Sequence, residues 1–318
     1  MVCRDSRIVL PGQNEAYISK LKKNRNFLVP RTREDGTDME RITGYVNMMR
    51  IRDWIRFYTV FPVLGALLAC GMSPRLIPVC AVFFCVITYG FVINNYFDVD
   101  IDQKHKKKVE RDTNPLASDR VTKRGTLLLS AVLVAVPALL SAQMNPPGFL
   151  FTLLSILVLA LYSAKPVRLK DRFLVDIISH GAMFGGFPFL AGFALAGGNV
   201  VLSLQYPVAI AALCTIICCE ALIVHQIHDY GDDLGSSNTT IVRIGQRTGW
   251  MLFALSLLFS LFGLGLVVRY FGIGGYLGLG ICALVVMYPM YSCRLDVLAQ
   301  AKSLVQRTGI SSSDRDVT

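Results

Sequence analysis

Amide and acidic side chains recur every fourth residue at the end of an apolar stretch, at Asn94, Asp98 and Asp102. On a helix, residues four apart lie one above another, so these three groups would share one face. Adjacent carboxylates without a counter-charge repel one another, and a hard divalent cation removes that conflict. Mg²⁺ prefers one or two carboxylates together with phosphate oxygens. The spacing therefore predicts a Mg²⁺ site with Asp100 off the shared face; the alternative is a solvated acidic helix end.

A second acidic cluster closes another apolar stretch and repeats the four-residue spacing at His225, Asp229 and Asp233. Gly231 is expected to loosen the helix there. Two such clusters on one face of a membrane protein argue against coincidence. Glu220 lies deeper in the same stretch, where an ionisable group is costly and often functional.

A third feature is cationic. Residues 162–170 read Tyr-Ser-Ala-Lys-Pro-Val-Arg-Leu-Lys, and eight basic residues fall between Lys104 and Arg124, directly after the first aspartates. Basic loops at a membrane surface often serve only topology or lipid binding, and that alternative stays open. A diphosphate, however, needs metal ions on some oxygens and Lys or Arg on others, and the nearby carboxylates and cations would compensate one another.

The elements that must position these groups are transmembrane helices. Of the 318 residues, 53% are hydrophobic and only 17% are charged, which is a membrane composition. A helix needs about 20 mostly apolar residues to cross a bilayer. Eight stretches meet or approach that length, and we predict an all-α, multi-pass bundle with spans at residues 55–72, 76–97, 126–143, 148–164, 174–196, 202–224, 250–268 and 272–292.

The distribution of basic residues predicts the orientation of this bundle. With a cytoplasmic N-terminus, Arg75 and Arg269 would be the only two of the 32 Lys and Arg in outer loops, so the positive-inside rule places both termini and the charged loops in the cytoplasm. The basic residues behind the net charge of +10 are thus explained by membrane topology, by anionic lipid and by an anionic substrate. We predict no nucleic-acid partner. We expect a partly disordered cytoplasmic arm at 1–44, a membrane domain at 45–293 and a cytoplasmic tail at 294–318.

These motifs together resemble the UbiA superfamily of intramembrane prenyltransferases. The resemblance runs from about residue 50 to 245. The first family motif, N-D-x-x-D-x-x-x-D, is matched with Asn95 in place of its first Asp, and the second, D-x-x-x-D, is matched by Asp229 and Asp233. Three further stretches are similar to family segments: 162–170 after span four, 114–118 to N/R-P-L-x-S-G, and Thr239 with 243–245 to T-L-P-V-R-L-G.

The resemblance implies helices around a central cavity, with Mg²⁺ and a prenyl diphosphate at the cytoplasmic mouth and the isoprenoid tail in an apolar tunnel. The family usually has nine spans, so the eight counted leave a ninth open. The implied Mg²⁺ ligands and catalytic residues are Asp98, Asp102, Asp229 and Asp233. The expected substrate-binding residues are Asn94, Asn95, Lys104, Tyr162, Lys165, Arg168, Lys170 and His225.

Three functions remain in competition. The leading one is transfer of a prenyl group to a lipophilic or interfacial acceptor, such as an aromatic ring, a quinone precursor or a polar phosphate. A membrane terpene cyclase would use the same ionised chain without an acceptor. A non-enzymatic transporter would place ionisable groups at mid-bilayer on several helices, whereas here they cluster at one interface.

Overall fold

The computed structural model describes residues 38–103, 113–200, 205–271 and 287–289. The chain divides into units of residues 1–41 and 42–318, and only 38–41 of the first unit are described. All regular secondary structure in the described part is helical. Lys104 therefore lies outside it, as do most of the arm at 1–44, almost all of the eighth predicted span and the tail at 294–318.

The helices are numbered in chain order. They are α1 (Asp38–Met48), α2 (Ile51–Trp54), α3 (Val60–Cys70), α4 (Leu76–Asp102), α5 (Lys123–Met144), α6 (Pro146–Ser163), α7 (Val175–Gly181), α8 (Phe187–Leu195), α9 (Gln205–His228), α10 (Tyr230–Asp233), α11 (Thr240–Ile244) and α12 (Gln246–Phe271). A π-helical turn, Ala182–Gly186, joins α7 to α8.

Six helices in the described part are long and apolar enough to cross a membrane: Leu76–Asp102, Lys123–Met144, Pro146–Ser163, Val175–Leu195, Tyr206–His228 and Gln246–Arg269. They match the second to seventh predicted spans. Leu128 on α5 and Phe262 on α12 are two-thirds exposed, as expected of side chains that face lipid. The all-helical membrane architecture is thus confirmed for these six spans.

The first predicted span, 55–72, is broken. Residues 55–59 form turns, and α3 has only 11 residues. The Thr59 hydroxyl donates to the Ile55 carbonyl, and such local bonds compete with continuous helix. Pro62 lies in the first turn of α3, where its missing N–H is tolerated. Hydropathy detects the apolar composition of this stretch but not the break in its backbone.

Glycines bring the helices of the bundle close together. A Cβ at Gly65 of α3 would lie 2.2 Å from the Phe189 carbonyl oxygen of α8, and one at Gly192 would lie 2.0 Å from that of Pro62. Small residues at such contacts permit the close helix packing that stabilises membrane bundles. The span from Val175 to Leu195 is consequently fixed in position, with the described part of the bundle packed around it.

Contacts between helix termini show that successive spans alternate in direction. The Arg75 guanidinium, before α4, donates to the Ala196 carbonyl after α8 at 3.3 Å. At the other end of the bundle, the Ser163 hydroxyl at the end of α6 donates to Asn94 on α4 at 2.9 Å. The predicted chemical groups therefore gather at one end of the bundle.

Candidate active site

The first acidic motif forms one face of α4, which remains helical to Asp102. Asp98 and Asp102 are buried, whereas Asp100 is exposed, so the predicted separation of Asp100 from the shared face is confirmed. The Asn114 amide donates to Asp102 Oδ2 at 2.9 Å. Asn114 belongs to the stretch 114–118, and this bond explains why that stretch lies beside the motif.

The loop after α6 brings two cations to Asp98. Arg168 Nη2 lies 3.1 Å from Asp98 Oδ1, and Lys170 Nζ lies 2.5 Å from Asp98 Oδ2. Lys170 also donates to Asn94 Oδ1 at 2.8 Å. All three charged side chains are more than four-fifths buried, so their charges are weakly screened. Residues separated by some 70 positions in sequence thus form one ionic cluster.

Arg168 binds a second carboxylate and has one buried N–H donor without a partner among the described residues. Its Nε donates to Asp171 Oδ2 at 2.5 Å, and its backbone adopts left-handed angles, with φ of 40°. Its Nη1 is buried and has no hydrogen-bond partner among the described residues. A buried guanidinium donor without a partner is costly, and an anion at this position would satisfy it.

Burial also affects the neighbouring lysine. It lowers the pKa of the Lys170 ammonium below its usual value, and the adjacent Asp98 carboxylate opposes that shift. Lys165, in contrast, is exposed and makes none of these contacts. The predicted basic run thus contributes Arg168 and Lys170 to the cluster and leaves Lys165 outside it.

Asn95 faces away from the cations. It is 2% exposed, donates to the Met48 carbonyl at 3.4 Å, and its own carbonyl accepts from Asn114 at 2.9 Å. The side-chain amide that replaces the usual carboxylate therefore connects α4 to α1, whereas the bond from the 114–118 stretch is accepted by the Asn95 backbone carbonyl. Its expected part in substrate binding stays a prediction.

The second acidic motif keeps its register but is more exposed. The Asp233 N–H donates to the Asp229 carbonyl at 2.9 Å, across the junction of α9 and α10. His225 Nε2 lies 3.4 Å from Asp229 Oδ2. In the described ranges no three His, Cys, Asp or Glu side chains lie close enough together to hold one metal ion. The two motifs therefore form separate carboxylate pairs in this structure.

Asp176, in the first turn of α7, organises the segment behind the second motif. Its buried carboxylate accepts from Gln226 Nε2 at 2.9 Å, from the Thr240 N–H at 2.7 Å and from the Thr240 hydroxyl. Gln226 in turn accepts from the Ile241 N–H at 3.2 Å. These bonds join α7 to α9 and α11, and the latter two helices precede and follow residues 229–239 in the chain. Sequence reasoning missed Asp176, although a lone carboxylate within an apolar stretch was a readable signal.

An aromatic cluster lies next to the ionic cluster. Tyr58 stacks on Phe184 with ring centroids 4.0 Å apart, and His180 lies 4.9 Å from Phe184. Phe91 is 6.2 Å from Tyr58, and Tyr162 is 6.3 Å from His180. Tyr162 directly precedes Ser163, which binds Asn94. Aromatic faces of this kind stabilise cations; Tyr58, Phe91 and His180 were not predicted.

Comparison with known proteins identifies the class to which this fold and site belong. A model of the UbiA prenyltransferase family matches residues 59–308. The chain belongs to that family, and it is a membrane prenyltransferase. The family resemblance and the assignment as a transferase are thereby confirmed.

Relatives and solved structures are consistent with this membership. Digeranylgeranylglyceryl phosphate synthase of Methanocaldococcus jannaschii is 24% identical over 266 residues, covering 80% of this chain and 87% of the relative. The Thermococcus gammatolerans synthase of the same name is 29% identical and covers 72% and 79%. A UbiA homolog from Archaeoglobus fulgidus bound to GPP and Mg²⁺ superposes with a TM-score of 0.64 at 18% identity, covering 86% of this chain and 91% of the other.

Proposed function

We propose that this enzyme transfers a prenyl group from an allylic prenyl diphosphate to a lipophilic acceptor that carries a phosphate. The observation that carries the proposal is the buried, unpartnered Nη1 of Arg168 beside Lys170 and Asp98. Arg168 and Lys170 would each donate to diphosphate oxygens. Tyr162 and Asn94 line the same region, and we retain both as substrate-binding residues.

The acidic residues suit Mg²⁺, which takes one or two carboxylates together with phosphate oxygens and water. Two separate carboxylate pairs therefore fit ions shared with a diphosphate, and no three-residue cage is needed. The residues that would hold Mg²⁺ are Asp98, Asp102, Asp229 and Asp233. When bound, Mg²⁺ would neutralise charge that develops on the departing diphosphate.

The chain's own residues complete the chemistry. The bond between C1 of the prenyl group and the diphosphate oxygen breaks, and the diphosphate leaves with the electron pair, held by Arg168 and Lys170. The π faces of Tyr58, Phe91 and Phe184 stabilise the allylic cation. An acceptor oxygen then donates a lone pair to C1, and its proton passes to the released diphosphate.

The phosphate-bearing acceptor is inferred from the curated relatives. A digeranylgeranylglyceryl phosphate synthase makes a glyceryl phosphate that carries two prenyl chains, so its acceptor must itself be a glyceryl phosphate derivative. An anionic acceptor also suits the basic loops at this end of the bundle. We place this end, with its loops, in the cytoplasm, as the positive-inside rule requires.

Product analysis tests the proposal. The purified protein in lipid nanodiscs is given Mg²⁺, prenyl diphosphates of graded length and a panel of acceptors that includes geranylgeranylglyceryl phosphate. We expect a prenylated acceptor and little diphosphate release without acceptor. Acceptor-independent release with formation of a cyclic terpene would overturn the transferase and establish a membrane terpene cyclase.

A further inference from the structure

Arg50 is a partly buried cation beside the aromatic cluster, and it makes no contact with the ionic cluster of Asp98, Arg168 and Lys170 among the described residues. It follows α1 and caps α2, with left-handed backbone angles of φ 49° and ψ 33°. Residues other than glycine rarely adopt that conformation, and where they do it is frequently at a functional site. The side chain extends toward α4, where it meets Phe91.

Two contacts fix the Arg50 side chain. Its guanidinium carbon lies 5.2 Å from the centroid of the Phe91 ring, and its Nε donates to Asp53 Oδ2 at 3.0 Å. Phe91 lies two turns before Asp98 on the same face of α4. Arg50 therefore lies on the membrane-interior side of the ionic cluster.

Through Phe91, Arg50 contacts the aromatic cluster, which borders the proposed diphosphate site. Phe91 contacts Tyr58 and Phe184, and Tyr162 completes the cluster beside Asn94 and Ser163. With its diphosphate on Arg168 and Lys170, the allylic carbon of a prenyl chain would lie against these rings. Arg50 would then lie beside the same rings, through its contact with Phe91.

The charge of Arg50 needs an anion when the reaction occurs. A cation beside a developing allylic cation opposes ionisation, and Asp53 contacts only its Nε. Neither Nη atom has a hydrogen-bond partner among the described residues. The side chain is 30% exposed, so a ligand can reach it. A guanidinium with two such donors matches the oxygens of a phosphate monoester.

We propose that Arg50, oriented by Asp53 and Phe91, binds the phosphate monoester of the acceptor. This inference rests on the proposed transferase function and names the acceptor's subsite. The bound phosphate neutralises Arg50 and places the acceptor beside the rings of the aromatic cluster. Ionisation is then favourable only when the acceptor is present.

Kinetics with both substrates test the inference. Arg50→Gln should raise the KM for geranylgeranylglyceryl phosphate at least tenfold and change the KM for the prenyl diphosphate less than twofold. Arg50→Lys keeps the charge but loses the paired donors, so its KM for geranylgeranylglyceryl phosphate should lie between those of the wild type and Arg50→Gln. The matched control is Arg56→Gln, which removes an exposed charge and should leave both constants unchanged. A rise in the prenyl diphosphate KM, or equal effects of Arg50→Gln and Arg56→Gln, would overturn the assignment.

Equilibrium binding separates this inference from the proposed function. Radiolabelled geranylgeranylglyceryl phosphate, without prenyl diphosphate, should bind the wild type and the Arg56→Gln variant but not Arg50→Gln. That result would support the subsite even if no transfer were found, and equal binding by all three would overturn it. The measurement is repeated in bilayers with and without phosphatidylglycerol. Competition by that lipid would assign Arg50 to a headgroup and overturn the acceptor assignment.

Discussion

Lys170 lies 2.5 Å from Asp98, so the cation expected to bind the substrate and the carboxylate expected to bind metal neutralise each other. A metal ion at Asp98 would release Lys170, and a diphosphate would then receive it. Metal binding to Asp98 would leave Lys170 available to the diphosphate, and diphosphate binding to Lys170 would leave Asp98 available to the metal ion. We therefore expect the metal ion and the diphosphate to increase each other's affinity.

The first prediction concerns the aspartates of α4. Asp98→Asn and Asp102→Asn should each reduce turnover roughly 100-fold or more, because both remove charge that would bind metal. Asp98→Asn should also lower the melting temperature, since it leaves the buried Arg168 and Lys170 without their counter-charge. The matched control is Asp100→Asn, which alters an exposed side chain on the same helix and should retain most activity. Equal losses at all three positions, or full wild-type activity in EDTA, would contradict the metal assignment.

The second prediction compares the buried Arg168 with the exposed Lys165 of the same basic run. Arg168→Lys should raise the KM for the prenyl diphosphate roughly tenfold, because it removes the buried Nη1 donor and the contact with Asp171. Lys165→Gln, at an exposed position, should change that KM less than twofold. Steady-state kinetics at saturating acceptor measure both, and a larger effect at Lys165 would disprove the assignment.

The third prediction is a pH dependence. Because burial lowers the pKa of Lys170, its ammonium loses its proton at a lower pH than an exposed lysine does. The kcat/KM for the prenyl diphosphate should therefore fall as pH rises through that lowered pKa. The arginine of Lys170→Arg keeps its charge in this pH range. The fall of kcat/KM on the alkaline side of the pH profile should therefore occur at higher pH in this variant than in the wild type. Identical profiles for both proteins would exclude Lys170 as the titrating group.

The fourth prediction concerns the network around Asp176. Asp176→Asn places an amide N–H₂ against donors that now bind a carboxylate oxygen, and each buried group left unsatisfied costs about 1 to 3 kcal/mol. We expect a lower melting temperature and weaker binding of Mn²⁺, used as a probe of the second acidic motif. Thr240→Ser keeps the hydroxyl and should resemble the wild type, whereas Thr240→Val should resemble Asp176→Asn. A lower melting temperature with unchanged Mn²⁺ binding would limit Asp176 to stability.

The fifth prediction tests orientation. Single cysteines replace Met72 and Lys123, which lie at opposite ends of the bundle, in a protein without its nine native cysteines. A membrane-impermeant maleimide added to intact cells should label position 72 and reach position 123 only after permeabilisation. The reverse pattern would invert the proposed topology and place the charged loops outside.

Local sequence patterns were sufficient for six of the eight predicted spans and for the acidic face of α4, because hydropathy and a four-residue spacing are properties of one segment. They were insufficient where a contact joins distant segments. Thr240 and Gln226 bind Asp176 from more than 45 positions away, and no local spacing marks either. The role proposed for Arg50 rests on a left-handed backbone and on a contact with Phe91, neither of which composition reveals. The break at residues 55–59 was likewise invisible to hydropathy.

The π turn at Ala182–Gly186 adds one residue to the span Val175–Leu195 within a single widened turn. A π turn holds about one more residue than an α-helical turn, so the faces of α7 and α8 stay nearly in the register of an uninterrupted helix. Regular helix advances about 100° per residue. Deleting one residue between Asp176 and the π turn would therefore rotate Asp176 away from Thr240 by about that angle, although the span would remain apolar and long enough to insert. Deleting one residue within the π turn would restore regular helix and keep that contact. Homologues that keep this site should therefore tolerate a one-residue difference in length within these five residues and not within α7.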